Sequence, residues 1–436
     1  MMLPLWLALS LAIAVPHLAV AEPLTAGVAR VDITPPLELK ASLGGYGDRM
    51  SRPATGVHDR VWAKALVVQQ GTKRFALVTA DMLAIPPGFK SALLETLAQD
   101  GWQDSEVMLL ASHSHTSIDL EAINPKNTFG IPQLGIYQPA LTHRTLDLFA
   151  QVIREAAKTP QPCTLATASI QLDGWSHNRR EGNTAIQPEL TVTRLDTAQG
   201  PLVALVNWTA HPTFMDADDM LFSGDWPGHM QRTVEALIGG GVTVMYYNGA
   251  EGDQSPTARP DSGGNWEKAE RYGRELGIQV WKVWQKIKTK PSSELAYHLE
   301  PIALPTRTWH PDFMKTGGAE YGLNESSVRQ IVEGLAPVAT HSVSLRLGEL
   351  VIVGVPGELA ATLGDEVKAQ VRRALGLNHV VIGGLADEWT SYILTPEEYR
   401  KGGYEASMCF YGEGLGPVIV AGVVRGTAAL RVHRGE

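Results

Sequence analysis

Five polar clusters in this sequence each follow an apolar run directly, and their residue types are those of metal binding and acid–base catalysis. The first, Ser112-His113-Ser114-His115-Thr116-Ser117, comes after Val107-Met108-Leu109-Leu110. Imidazole is a common metal ligand and the side chain whose ordinary pKa lies nearest neutrality. A His-x-His pair on extended backbone sends both rings to one side, because strand side chains alternate with period two. A hydrogen-bonded turn with two surface histidines is the plainer alternative. The second cluster, Asn207-Trp208-Thr209-Ala210-His211-Pro212, again ends a strand-like run in histidine, and Pro212 removes a backbone donor there. One histidine alone is more often structural, but two strand ends delivering histidine point to a shared site. The third, Asn248-Gly249-Ala250-Glu251-Gly252-Asp253-Gln254-Ser255-Pro256, has two glycines that let backbone approach a ligand. Its Asp253 and Ser255 either face a substrate or belong to an ordinary turn. The fourth is Pro356-Gly357-Glu358. Position alone favours a carboxylate complementing a helix dipole, and a metal ligand is the other reading. The fifth runs from Asp387-Glu388-Trp389 through Tyr392 to Tyr399, then Tyr404-Glu405, and suits either a binding surface or a solvated loop.

The elements that must position these clusters alternate. Residues 26–33, 61–69, 75–79 and 106–111 read as strands, the second and third as a hairpin around Gly71. Helical spacing is expected at 88–99 and 140–157. Strands follow at 164–171, 190–195 and 202–208, a helix at 226–238, a strand at 242–247 and a long helix at 265–288. Strands at 341–347, 350–355 and 379–383 flank a helix at 359–376. The Pro-rich stretch 289–340 reads as irregular, an insertion within the domain. The expected fold class is therefore α/β, a mixed β-sheet enzyme domain with surrounding helices.

No G-x-S-x-G elbow, H-E-x-x-H or P-loop is present, and Gly412-x-Gly414-x-Gly416 lacks the strand–turn–helix frame of a dinucleotide fingerprint. With 37 basic against 46 acidic residues, the net charge of −9 argues against a nucleic-acid partner. Residues 1–21 form an apolar leader ending in Ala19-Val20-Ala21 and read as a cleaved signal peptide, so a secreted or periplasmic protein is expected. No other run approaches the roughly 20 apolar residues of a membrane helix. Cys163 and Cys409, the two cysteines, cannot build a disulfide framework or a Cys-rich zinc site, and whether they pair is open. Nothing in the sequence sets the oligomeric state.

Taken in order, the clusters resemble the catalytic domain of the neutral/alkaline non-lysosomal ceramidases. The collinear set begins at Gly27-Val28-Ala29-Arg30-Val31-Asp32 and continues through Gly45-Tyr46, Thr79-Ala80-Asp81 and His113-Ser114-His115. It goes on through Asn178-Arg179-Arg180, Trp208 to His211, Gly252 to Pro256 and Pro356-Gly357-Glu358. Tyr392 to Tyr399 and Tyr404-Glu405 close the series. The resemblance implies one catalytic domain over residues 22–436 with a ceramidase-catalytic-domain-like fold. It implies one Zn2+ held by His113, His211, Glu358 and Tyr392, with His115 beside the metal as proton donor or substrate contact. The choice of His113 over His115 as ligand rests on the resemblance alone. Arg179 and Ser255 would hold the polar part of the substrate, and Ser255 is the fallback nucleophile. The implied reaction is attack of activated water on the amide of a small-molecule or lipid N-acyl substrate, ceramide-like. Peripheral membrane contact is compatible with a lipid substrate. A more polar amide, ester, lactone or acylated sugar is the alternative, as is a binding protein on the same scaffold.

This chain also departs from the family's pattern. A glycine-rich loop after the second histidine is replaced by Thr116-Ser117-Ile118-Asp119, and Arg180 stands where the family has serine. Asp216, Asp218 and Asp219 are expected to add negative charge near the site. The family's usual C-terminal immunoglobulin-like domain has no counterpart before Glu436.

Overall fold

The computed structural model describes residues 22–291 and 294–431, so the leader expected at residues 1–21 lies outside the described residues. In chain order the main strands are β1 (Thr25–Asp32), β2 (Trp62–Gln70), β3 (Lys73–Ala80), β4 (Val107–Ala111), β5 (Gln161–Gln171), β6 (Glu189–Thr197), β7 (Gly200–Trp208) and β8 (Thr243–Asn248). They form one mixed sheet in the order β8-β7-β6-β5-β1-β2-β3-β4, with β7–β8 and β3–β4 parallel and the other neighbours antiparallel. A second sheet, β9 (Leu295–Ala303), β10 (Ala339–Leu347), β11 (Leu350–Gly354) and β12 (His379–Gly383), keeps chain order and is parallel only between its last two strands.

The layers follow from the period-two alternation of the strands. On β2, Ala63, Ala65 and Val67 face a core shared with helices α1 (Phe89–Thr96) and α2 (Pro139–Lys158). Its alternate residues Leu66 and Val68 face inward, onto Val343, Leu345 and Ile352 of the second sheet. Helices α3 (Asp225–Ile238) and α4 (Asn265–Trp284) cover the other half of the first sheet through Trp226, Met230 and Leu276. Helix α5 (Glu325–Leu335), helix α6 (Ala361–Leu375) and helix α7 (Leu415–Thr427) cover the second sheet. The result is helix, sheet, sheet, helix.

Two expectations need correction. Residues 289–340 are not irregular: they contain β9, paired along its whole length with β10, and α5. Pro301 within the strand hid β9 from pattern reading, and β9 tolerates it as an edge strand. Residues 412–430 form a helical run long and apolar enough to cross a membrane, although half of it is buried inside the protein. Its glycines broke the apolar run in the sequence, and they have a packing reason: a Cβ at Gly422 would meet Ile302 of β9 at 2.6 Å. This helix is the wall of the second core. Cys163 and Cys409 are free and buried in different cores.

Candidate active site

The first sheet coils until its two edges approach. Asn248, at the end of β8, donates through Nδ2 to Ser112 O just past β4, at 3.3 Å. Asn207 on β7 donates to Ile382 O on β12 at 3.0 Å, which ties the second sheet to the same point. The C-terminal ends of β4, β7 and β11 therefore meet, and each delivers one group within a few residues: His113, His211 and Glu358.

His211 Nε2 lies 3.1 Å from Glu358 Oε2, and His113 Nε2 lies 3.5 Å from the same oxygen. The other nitrogen of each ring faces a backbone carbonyl: His113 Nδ1 is 2.7 Å from Leu83 O, and His211 Nδ1 is 3.1 Å from Gln254 O. A carbonyl only accepts, so each Nδ1 carries the hydrogen and each Nε2 presents a lone pair. Two lone pairs and a carboxylate oxygen thus converge with no donor between them, which is the arrangement a cation completes. Burial, followed by the charge of Arg179, holds His211 down at about 4, so its ring is neutral near neutrality. On its other side, Glu358 Oε1 accepts from Trp389 Nε1 at 2.8 Å.

His115 completes a cluster of three imidazoles, its Nε2 3.3 Å from His113 Nε2. Its Nδ1 is buried without a partner among the described residues. Burial, then the neighbouring His113 and His211, pushes its pKa well below the usual value. The extended His-x-His expected from sequence is not what forms: His113 has φ +72, so the strand ends in a left-handed turn before the two rings meet edge to face. Gly45 is required opposite, since a Cβ there would stand 2.3 Å from His115 Nδ1.

Tyr392 enters from the fifth cluster. Tyr392–Ile393 pairs in parallel with Glu358–Leu359, which sets the phenol beside the carboxylate. Arg179 Nη2 donates to the Tyr392 hydroxyl at 3.0 Å and Arg179 Nε to Glu405 Oε1 at 2.8 Å. Burial and then Glu358 raise the Tyr392 phenol well above its usual pKa, so it keeps its proton.

Other expectations fall out differently. Glu358 is not a first-turn helix residue: α6 begins at Ala361, and the carboxylate faces the histidines. Asp253 is the turn anchor of its cluster, accepting from Ala361 N at 2.9 Å and Asn178 Nδ2 at 2.7 Å. Ser255 stands opposite His177 in a short antiparallel pair, and the carbonyl of its neighbour Gln254 faces His211. The carboxylates of Asp216 and Asp219 accept from Asn265 of α4, while their backbone carbonyls accept from the buried Arg49. Arg49 also donates to His115 O, so it clamps both histidine loops. Sequence reading missed Arg49, Trp389 as a partner of Glu358, and the carbonyls of Leu83 and Gln254. Only Trp389 carried a signal, as part of a dense aromatic and acidic segment.

His113, His115, Glu358 and Tyr392 line one end of a cavity of about 150 Å3. Its walls are otherwise largely apolar: Leu43, Leu83 and Leu134 on one side, Phe313, Val328 and Ile331 on the other.

The family model for neutral/alkaline non-lysosomal ceramidase, N-terminal, matches residues 24–260 and 327–416. Neutral ceramidase of Pseudomonas aeruginosa is 23% identical, over 92% of this chain and 71% of its own. That of Mycobacterium tuberculosis is 21% identical, over 84% and 71%. A crystal structure of the Pseudomonas aeruginosa enzyme shares the fold, with a TM-score of 0.81 at 21% identity, covering 95% of this chain and 76% of that one. A structure described as ceramidase complexed with C2 also has a TM-score of 0.81 at 21% identity, over 94% and 75%. With the histidine, glutamate and tyrosine positions inside the matched segments, the chain belongs to the neutral/alkaline non-lysosomal ceramidase family.

Proposed function

We propose that this chain is a zinc-dependent hydrolase of N-acyl amides, of the kind its ceramidase relatives are named for, exported by its leader segment. The observation that carries the reading is the convergence of His113 Nε2, His211 Nε2 and Glu358 Oε2 at the end of an apolar cavity. Those three groups and the Tyr392 hydroxyl would hold the metal, a nitrogen and oxygen set suited to zinc. When bound, zinc supplies Lewis acidity toward an amide carbonyl and acidifies water.

The chain's own residues do the rest. The apolar walls seat the acyl chain and keep water off it. Arg179 donates to the Tyr392 oxygen, and the phenol hydrogen, which at rest faces the Glu358 carboxylate, would turn to a carbonyl oxygen that gains charge during attack. His115 lines the cavity and is neutral at rest, and its Nε2, beside that of His113, is the ring nitrogen placed to take a proton from water and return it to the departing amine nitrogen. Arg179, fixed by Glu405 and Gly252 O, holds the phenol in place.

Metal analysis of the purified protein beside hydrolysis of N-octanoylsphingosine tests this. About one zinc per chain is expected, as a single catalytic site requires, with metal and activity both lost in His211→Ala. Full activity in metal-free protein would overturn it. A smaller effect is expected from Trp389→Phe, which leaves Glu358 Oε1 without its donor. Outer partners of this kind are worth roughly ten- to hundredfold in metal affinity, so competition against a zinc chelator should show a loss in that range with little change in fold.

A further inference from the structure

We infer that the mouth of the cavity docks on a lipid bilayer through the exposed side chains of Leu37, Met50 and Ile136, and that the substrate enters from that bilayer. The inference rests on the reading of the chain as a hydrolase of lipid N-acyl amides and adds the surface on which that reaction runs.

Three segments of chain meet at one end of the cavity wall. Gln133 and Leu134 line it from the first, Gly45 and Tyr46 from the second, and Tyr321 and Leu323 from the third. The segments are packed together: a Cβ at Gly322 would stand 2.6 Å from Gln133 Nε2, and one at Gly47 would stand 2.8 Å from Glu320 O. Ser51 Oγ donates to Pro132 O at 2.7 Å. The six lining residues are half-buried, and Met50, Pro132, Ile136 and Gly322 beside them are exposed, so the cavity reaches the surface here. His113, Glu358 and Tyr392 line the buried end.

Large apolar side chains surround this opening. Leu37 is 45% exposed, Met50 44% and Ile136 36%. Their segments are tied to one another and to the wall. Lys40 N donates to Leu37 O at 3.0 Å, and Gln138 Nε2 donates to Lys40 O at 3.2 Å. Met50 N donates to Gly47 O at 3.0 Å. A single exposed apolar residue is ordinary, but three on bonded segments that share a cavity mouth make a patch, and such patches mark interaction sites. The exposed charges on the same segments, Glu38 and Asp48 against Lys40 and Arg52, cancel in sign. Attachment is therefore apolar rather than electrostatic.

The occupant follows from the substrate. An amide with hydrocarbon arms resides in a bilayer, and carrying it through water would expose that hydrocarbon. Apolar side chains set at the boundary of headgroups and acyl chains hold a protein on a membrane without crossing it. Held so, the apolar surface runs unbroken from the bilayer past Met50 and Ile136 to Leu134, Leu323 and Val328 of the cavity wall.

Sedimentation of the zinc-loaded full chain with phosphatidylcholine vesicles tests this. The wild type is expected to partition onto the vesicles, with little change on adding salt because the charges of the rim cancel. The triple substitution Leu37→Ser, Met50→Ser, Ile136→Ser is expected to lower the partition coefficient by at least about tenfold, and to slow hydrolysis of N-octanoylsphingosine held in the same vesicles by a similar factor. Its melting temperature should match that of the wild type, because the three side chains are exposed. The control Leu237→Ser, Ile278→Ser, which removes exposed side chains on α3 and α4 that line no part of the cavity, is expected to bind as the wild type does. Failure of the wild type to bind, or equal binding by the triple variant, overturns the inference, and cleavage of N-octanoylsphingosine in detergent then leaves the amide-hydrolase reading intact. Vesicle binding by zinc-loaded protein that cleaves no N-octanoylsphingosine overturns the hydrolase reading and leaves the docking surface standing.

Discussion

Glu358→Gln is expected to abolish zinc binding and to lower amide hydrolysis by more than about a hundredfold, since even outer-shell partners of a metal are worth ten- to hundredfold. The argument is one of donors and acceptors. In the wild type, Glu358 Oε2 faces the lone pairs of His113 and His211, and only a cation or a proton reconciles the three. A glutamine turns its carbonyl to Trp389 Nε1, which already donates to that side, and its amide nitrogen to the two imidazoles. The amide hydrogens then satisfy both Nε2 atoms without any metal. The metal-free variant should therefore be at least as heat-stable as the metal-free wild type. Added zinc should raise the melting temperature of the wild type by mass action and leave the variant unmoved. Thermal melts with and without zinc, beside metal analysis, check both halves. A variant that still gains stability from zinc would remove Glu358 from the ligand set.

The legibility of this site in the sequence was uneven for physical reasons. Groups that follow strand ends were readable, because an apolar run and then a histidine is a local pattern: His113 and His211 are of this kind. Glu358 was readable as chemistry but ambiguous in role, since the sequence does not say that α6 waits until Ala361. Main-chain acceptors such as Leu83 O leave no mark in side-chain type, and neither does the coiling that brings β4 to β8. Arg49 is invisible for a related reason: apart from Gly44 O, its carbonyl partners lie in loops 66 to 170 residues away in sequence. The strands of the first sheet and the helices α1 to α4 were legible from periodicity. β9 was not, because its pairing with β10 overrides the weak strand signal of a proline-containing segment. Ser255 shows the converse. Its motif is placed beside the site, yet the part that serves His211 is the carbonyl of the residue before it.

Asp387→Ala is expected to cost about 3–5 kcal/mol of stability, the range for breaking a buried ion pair from one side. Asp387 Oδ2 lies 3.0 Å from Lys90 Nζ, with both side chains almost wholly buried. Its Oδ1 accepts from Leu109 N at 2.8 Å, and its own N donates to Leu109 O. The residue thus fastens β4, which carries His113, to the segment that carries Trp389 and Tyr392. Alanine leaves Lys90 with the half-exposed Asp104 as its remaining carboxylate partner and leaves Leu109 N unpaired. The pH dependence distinguishes this role from simple packing. Burial would raise the Asp387 carboxyl, but Lys90 and His341 outweigh it and hold it below its ordinary value. Its contribution is therefore complete above the unfolded carboxylate pKa of about 3.9 and is lost as pH falls through the lowered folded value. Burial would lower His341, but Asp387 at 3.4 Å outweighs it and raises it. That contribution is complete below the unfolded histidine pKa of about 6.5 and is lost as pH rises through the raised folded value. The gap in unfolding free energy between wild type and Asp387→Ala should thus be widest between about pH 5 and 6 and narrow on both sides, measured by urea denaturation across that range. A gap independent of pH would mean that the residue acts through packing and its backbone turn alone. The same loss should reach the site, because this tie is one of those that hold Trp389 and Tyr392 in place relative to His113.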